Sequence, residues 1–183
     1  METYIESIRK QFLYYKKLGE QAMGQVNEAD LFWQPDEESN SIAVIVRHLS
    51  GNMLSRFTDF LTSDGEKPWR NRDAEFENGF QSRAQVMDSW EKGWQCLLKA
   101  LEDLQQEDLE KIVYIRNEGH SVTEALNRQL AHYPYHVGQL VFIAKMRKGK
   151  HWQTLSIARN RSSEYNEQKF SVEKGKRHFT DNT

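Results

Sequence analysis

The stretch Ser121–Gly149, SVTEALNRQLAHYPYHVGQLVFIAKMRKG, decides how the chain folds. Ser121 followed by Glu124 matches the S-x-x-E capping box, in which two side chains reciprocally satisfy free backbone donors at a helix start. Apolar residues then recur at helical spacing, and Gly149 stands where a helix commonly ends. The pattern predicts a helix over Val122–Arg147. Pro134 interrupts it, because its missing N–H removes the bond to the Leu130 carbonyl and its ring bends the helix, which would widen the fold locally.

Upstream segments supply the partners for that helix. Ile5, Ile8, Phe12, Leu13, Tyr15, Leu18 and Met23 form the stripe of a first helix over Ile5–Gly24. A connection follows, marked by Pro35 and a polar cluster, in which Leu31, Phe32 and Trp33 cover one end of the core. Asn40 or Ser41 can cap a second helix, whose buried stripe is Ile42, Ile45, Leu49, Met53, Phe57 and Phe60. Thr62–Gln81 carries two glycines, a proline and eight charged residues, and reads as a connection long enough to cross a bundle. Val86, Trp90, Trp94, Leu97, Leu98 and Leu101 mark a third helix over Ser82–Leu104. The alternating segment KIVYIRNEGHSV predicts a short hairpin before the fourth. The expected fold is all-α: a four-helix bundle over residues 1–160, with a long crossover between helices two and three, and a polar arm over 161–183 that lies over the domain and is frayed at its end.

Composition narrows the functions. A length of 183 residues suits one domain, and a net charge of -2 gives no basic face for nucleic acid. No apolar run is long enough to span a bilayer, and charges occupy the place of a signal peptide's hydrophobic stretch, so a cytoplasmic protein without membrane contact is expected. Cys96 is the one cysteine, so an intrachain disulfide is excluded and any metal is held mainly by nitrogen or oxygen.

His132 and His136 project from the same helix face one turn apart, the spacing by which a helix offers two ligands to one ion. Tyr133 stands where a metalloprotease would carry its glutamate base, which argues against that chemistry. The same spacing is also met in buried histidines satisfied by carbonyls or hydroxyls. His48, on a face of helix two with Val44, Ile45, Asn52 and Ser55, is a candidate third ligand, because bundles build metal sites from facing helices. His120, His151 and His178 read as surface residues, Cys96 as a small, partly buried side chain, and Trp90 and Trp94 as core.

VIVRHLSGNMLSRF on helix two and LAHYPYHVGQLVFIAK on helix four resemble the DinB/YfiT-like superfamily, most closely one of its uncharacterised branches. The likeness spans roughly residues 1–160 and includes NEADLFWQPDEESNSIA and the H-x-x-x-H-x-G-Q of the last helix. The resemblance implies a four-helix bundle, a homodimer, and a divalent metal held by His48, His132 and His136. Characterised relatives include thiol S-transferases that use bacillithiol, mycothiol or glutathione, and a thiol-dependent isomerase. Relatives often carry arginine after the second helix-four histidine, where this chain has Val137.

These readings lead to a metal-dependent transferase acting with a low-molecular-weight thiol. The ion, zinc or nickel, would bind the thiol as thiolate, with Asn52, Arg56 and Gln139 orienting the substrate or its anionic group. The alternative is a non-catalytic metal-binding helical dimer with a stress-response or interaction role. A hydrolase would want a carboxylate near the metal, and Asp59 is about 16 Å of helix rise from His48.

Overall fold

The structure, a computed structural model, describes residues 3–77 and 79–182. Among them are the helices α1 (Tyr4–Gln25), α2 (Glu28–Leu31), α3 (Ile42–Phe57), α4 (Arg83–Asp103), α5 (Val122–Lys148) and α6 (Ser162–Phe170). The strands β1 (Ile112–Ile115) and β2 (Glu118–Ser121) pair antiparallel, Val113 opposite His120. The chain is thus mostly helical with one small sheet, the hairpin expected before the last long helix. No helix among the described residues is long and apolar enough to cross a membrane.

The caps explain where the helices begin. Ser41 accepts from the Val44 N–H at 3.2 Å, and Ser121 and Glu124 form their box, with the Ser121 N–H 2.8 Å from Glu124 Oε2. A second box, Thr3 with Glu6, starts α1. Two expected helix boundaries need correction. Asn27 caps a one-turn helix, α2, inside the stretch read as a plain connection. Helix α3 stops at Phe57, short of Phe60, because Thr58 is extended and Asp59 takes φ +48°, which cannot continue a right-handed helix.

Helix α1 lies along α5 and α3 along α4, and α3 also meets α5. Their apolar stripes close one core, in which Phe12, Trp94 and Tyr133 form an aromatic centre with ring centroids 5.9–6.4 Å apart. Each large side chain buried there stabilises the fold by about 1.5–3 kcal/mol over its exposed state. A Cβ on Gly93 would sit 2.8 Å from Ser50 Cα, so glycine is what lets α4 approach α3 this closely. Helix α5 runs unbroken through Pro134.

The expected connection Thr62–Gln81 is folded tightly onto α3, through a 3-10 turn at Asp73–Phe76; Asn78, within it, lies outside the described residues. Its first part is tied to the hairpin. Asp64 accepts from the N–H groups of Arg116 at 2.9 Å and Asn117 at 2.8 Å, and the Gly65 N–H donates to the Tyr114 carbonyl at 2.8 Å. Beyond α5, α6 is exposed, and residues 178–181 of the arm lie against α1: His178 Nε2 is 3.2 Å from Ser7 Oγ, Phe179 meets Tyr14 edge-on, and Asp181 pairs with Lys10 at 2.7 Å; Thr183, at the end expected to fray, lies outside the described residues.

Candidate metal centre

Helices α3 and α5 carry their apolar stripes into the core, so residues displaced from the stripe by about a third of a turn emerge beside it. On α3, Leu49 and Met53 are core while His48 and Asn52 face α5; on α5, Tyr133, Val137 and Leu140 are core while His132 and His136 face α3. The three imidazoles therefore meet across the helix pair. Their ligand atoms all lie within 4.8 Å of one another, and ring centroids are 4.8–5.4 Å apart. His48 Nε2 and His132 Nε2 are 3.3 Å apart. Two nitrogens bound at 2.0–2.1 Å to one tetrahedral zinc stand about 3.3–3.4 Å apart, so this pair already has the required separation.

The outer partners set which nitrogens are free. Glu75 Oε2 lies 2.9 Å from His48 Nδ1, and an ionised carboxylate only accepts, so Nδ1 carries a proton and the lone pair of the neutral ring lies on Nε2. Burial opposes ionisation of Glu75, but hydrogen bonds from His48 and Arg70 and the Arg70 charge outweigh it, holding the carboxyl below its ordinary range. The Gln139 amide oxygen, 2.8 Å from His136 Nδ1, does the same for that ring. Burial, reinforced by the charges of His136, His48, Arg56 and Arg70, lowers His132 to about 3, and burial lowers His136 as well. Both are neutral imidazoles near pH 7, the form that binds metal. Three imidazole donors could hold one metal ion.

Glu75 was not legible as a site residue. It comes from the connection, is buried, and is gripped by Arg70 Nε at 2.7 Å and Arg70 Nη2 at 2.9 Å. A Cβ on Gly51 would fall 2.3 Å from Glu75 Oε1, so a glycine on α3 makes room for the carboxylate. The next residue, Phe76, covers the His48 ring at a centroid distance of 4.8 Å. In a run of mixed charges no local spacing distinguishes Glu75, and only the fold brings it to His48.

A cavity of about 440 Å³ opens over the histidines, lined also by Asn52, Arg56, Gln129 and Phe76. Asn52 accepts from the Tyr133 hydroxyl at 3.0 Å. Arg56 is buried, donates to the Gly65 carbonyl and to Glu66, and is pushed down by desolvation. Gln139 holds His136 from behind and lines a different cavity, of about 570 Å³, with Trp33, Ile45 and Phe142. Cys96 is half-buried, its thiol pushed up by burial and 3.7 Å from Thr58 Oγ1. His120, His151 and His178 stand apart from the cluster.

Residues 1–161 match the family described as "Protein of unknown function (DUF1572)", and the chain belongs to that family. No curated protein and no solved structure matches it.

Proposed function

We propose that this family member is a cytoplasmic, metal-dependent transferase that acts with a low-molecular-weight thiol, built as a DinB/YfiT-like four-helix bundle over residues 1–160 with a polar arm over 161–183, and working as a homodimer. The observation that carries this reading is the convergence of His48, His132 and His136 from two facing helices, with the His48 and His132 nitrogens 3.3 Å apart. A bound zinc or nickel ion would supply Lewis acidity that lowers the pKa of a thiol.

The chain's own residues prepare for this. Glu75 and Gln139 fix the rings of His48 and His136, and burial keeps His132 neutral. Asn52 and Arg56 stand on the cavity wall, where they can orient a substrate, whereas Gln139 acts on it through His136. Such a reaction needs no protein nucleophile: the thiol sulfur bonds to an electrophilic carbon, the leaving group departs from that carbon, and the thiol proton passes to solvent.

The rival reading is a non-catalytic helical dimer in which the ion only clamps α3 to α5. It is favoured by Glu75, the carboxylate nearest the histidines, being fully engaged by His48 and Arg70 and unable to act as a free base. Glutathione consumption against a chloroarene electrophile separates the two. A transferase gives metal-dependent loss of thiol that is abolished in His132→Ala. A clamp gives the same slow background rate in both proteins, with a lower melting temperature in the variant.

A further inference from the structure

The cavity over the histidines carries a charge pattern that metal binding does not use. Its wall presents five guanidinium groups, Arg56, Arg70, Arg72, Arg116 and Arg128, and no carboxylate among the described residues. Two shielded acids answer them. Glu75 pairs with Arg70, and Glu66 is shared among Arg56 at 3.2 Å, Arg70 at 3.5 Å and Arg116 at 3.1 Å. Arg72 has Asp73 only at 3.9 Å, with that carboxylate 98% exposed to water. Arg128 reaches His120 Nε2 at 3.4 Å and no carboxylate among the described residues. The wall therefore carries a surplus of positive charge before any metal ion is added.

Two further observations show that this is a built surface. Arg116 sits in the two-residue hairpin turn at φ +57°, followed by Asn117 at φ +62°. Gly, Asn or Asp takes the first of these positions at least cost, so an arginine there is held against backbone preference, and Asp64 does the holding through both turn N–H groups. In addition, Arg56 Nε and Gln129 Oε1, buried atoms of two residues on the wall, have no partner. Buried polar atoms of this kind are normally satisfied, by a ligand or water where the protein offers nothing.

We propose that the cavity binds a small molecule carrying two or more anionic groups, carboxylates or phosphates, gripped at the mouth by Arg72, Arg116 and Arg128 with Arg56 behind them. Planar guanidinium groups converging from the connection, the hairpin and α5 suit such groups through paired N–H donors. A volume of about 440 Å³ fits a metabolite-sized ligand, and a net charge of -2 offers no extended track for a nucleic-acid backbone. This rests on the proposed function for setting the ligand beside a metal, but the arginine site itself needs no metal.

The test is calorimetric titration of the full chain, stripped of metal, with inorganic pyrophosphate and separately with tricarballylate, glycerol serving as the neutral control. At least one anion should bind saturably at one site, more weakly as salt rises. Affinity should fall at least tenfold in the Arg72→Gln/Arg128→Gln double variant, whose altered side chains lie outside the core. Arg116→Gly, which suits the positive φ of the turn, should also weaken binding without lowering the melting temperature. Binding of pyrophosphate alone would assign a phosphate ligand, and of tricarballylate alone a carboxylate ligand. Equal affinity in wild type and variants, or no binding of either anion, overturns the inference. Protein that takes up no metal yet binds an anion would sink the metal reading and leave this one standing; protein that takes up metal but binds neither anion overturns this one alone.

Discussion

The three converging imidazoles stand on α3 and α5, whereas Arg70, Arg72, Glu75 and Phe76 beside them come from the connection between α3 and α4, and Arg116 from the hairpin. The helices are closely packed, with Phe12, Trp94 and Tyr133 in contact behind the histidine face. The connection is irregular, yet it supplies the buried Glu75–Arg70 pair and the Phe76 cover on His48. Both segments contribute to stability, but only the connection orients His48, so metal affinity should respond differently to mutations in the two.

The sharpest contrast is between two large truncations. Glu75→Ala leaves the buried Arg70 with only the shared Glu66 at 3.5 Å, which should cost about 3–5 kcal/mol of stability, and it removes the acceptor that fixes His48, so metal affinity should fall about 10- to 100-fold. Trp90→Ala empties a core site, and should also cost about 3–5 kcal/mol while leaving metal affinity within about threefold. Denaturant melts and competition with a chromophoric chelator measure both quantities. Equal losses of affinity in the two variants would erase the distinction between core and connection.

Gly51→Ala is a finer probe, because the added methyl meets Glu75 Oε1 and not the core. It should destabilise by about 1–3 kcal/mol, through overpacking, and reduce metal affinity in the direction of the Glu75 variant. An affinity equal to wild type would show that the carboxylate can shift without disturbing His48.

The smallest expected effect lies where the connection meets the hairpin. The Asn117 N–H, with those of Glu66 and Arg116, holds Asp64 below the ordinary carboxylate range. A carboxyl lowered on folding contributes stability that is present above its unfolded pKa, near 4, and is lost as pH falls through its folded value. Asp64→Asn should therefore flatten the acid limb of the stability curve slightly; a variant curve parallel to wild type down to pH 3 would contradict this.

These contrasts follow what the sequence does and does not encode locally. The long helices were legible because burial of one face imposes a 3.6-residue period and their ends carry caps such as Ser41 and the Ser121–Glu124 box. His132 and His136 were legible for the same reason, since helical spacing alone places them together. His48 could be proposed only because a facing helix was expected, and the geometry brings it to the other two. Glu75, Arg70, Arg72 and Arg116 have no periodic signal: their meaning depends on where an aperiodic chain lies, which is fixed by tertiary ties such as Asp64 to the hairpin turn. The one-turn α2 is not legible because it depends on a few polar contacts such as its Asn27 cap, and which residues of the arm meet α1 is likewise fixed only by tertiary contacts.

The central claim is that the three imidazoles share one ion, and elemental analysis of untagged protein tests it most directly. Wild type should carry about one divalent ion per chain, as three-nitrogen sites do, and His136→Ala, folded by circular dichroism, should carry less than about a tenth of that. Wild type purified and reconstituted without metal uptake, or a variant that retains the full amount, would contradict it.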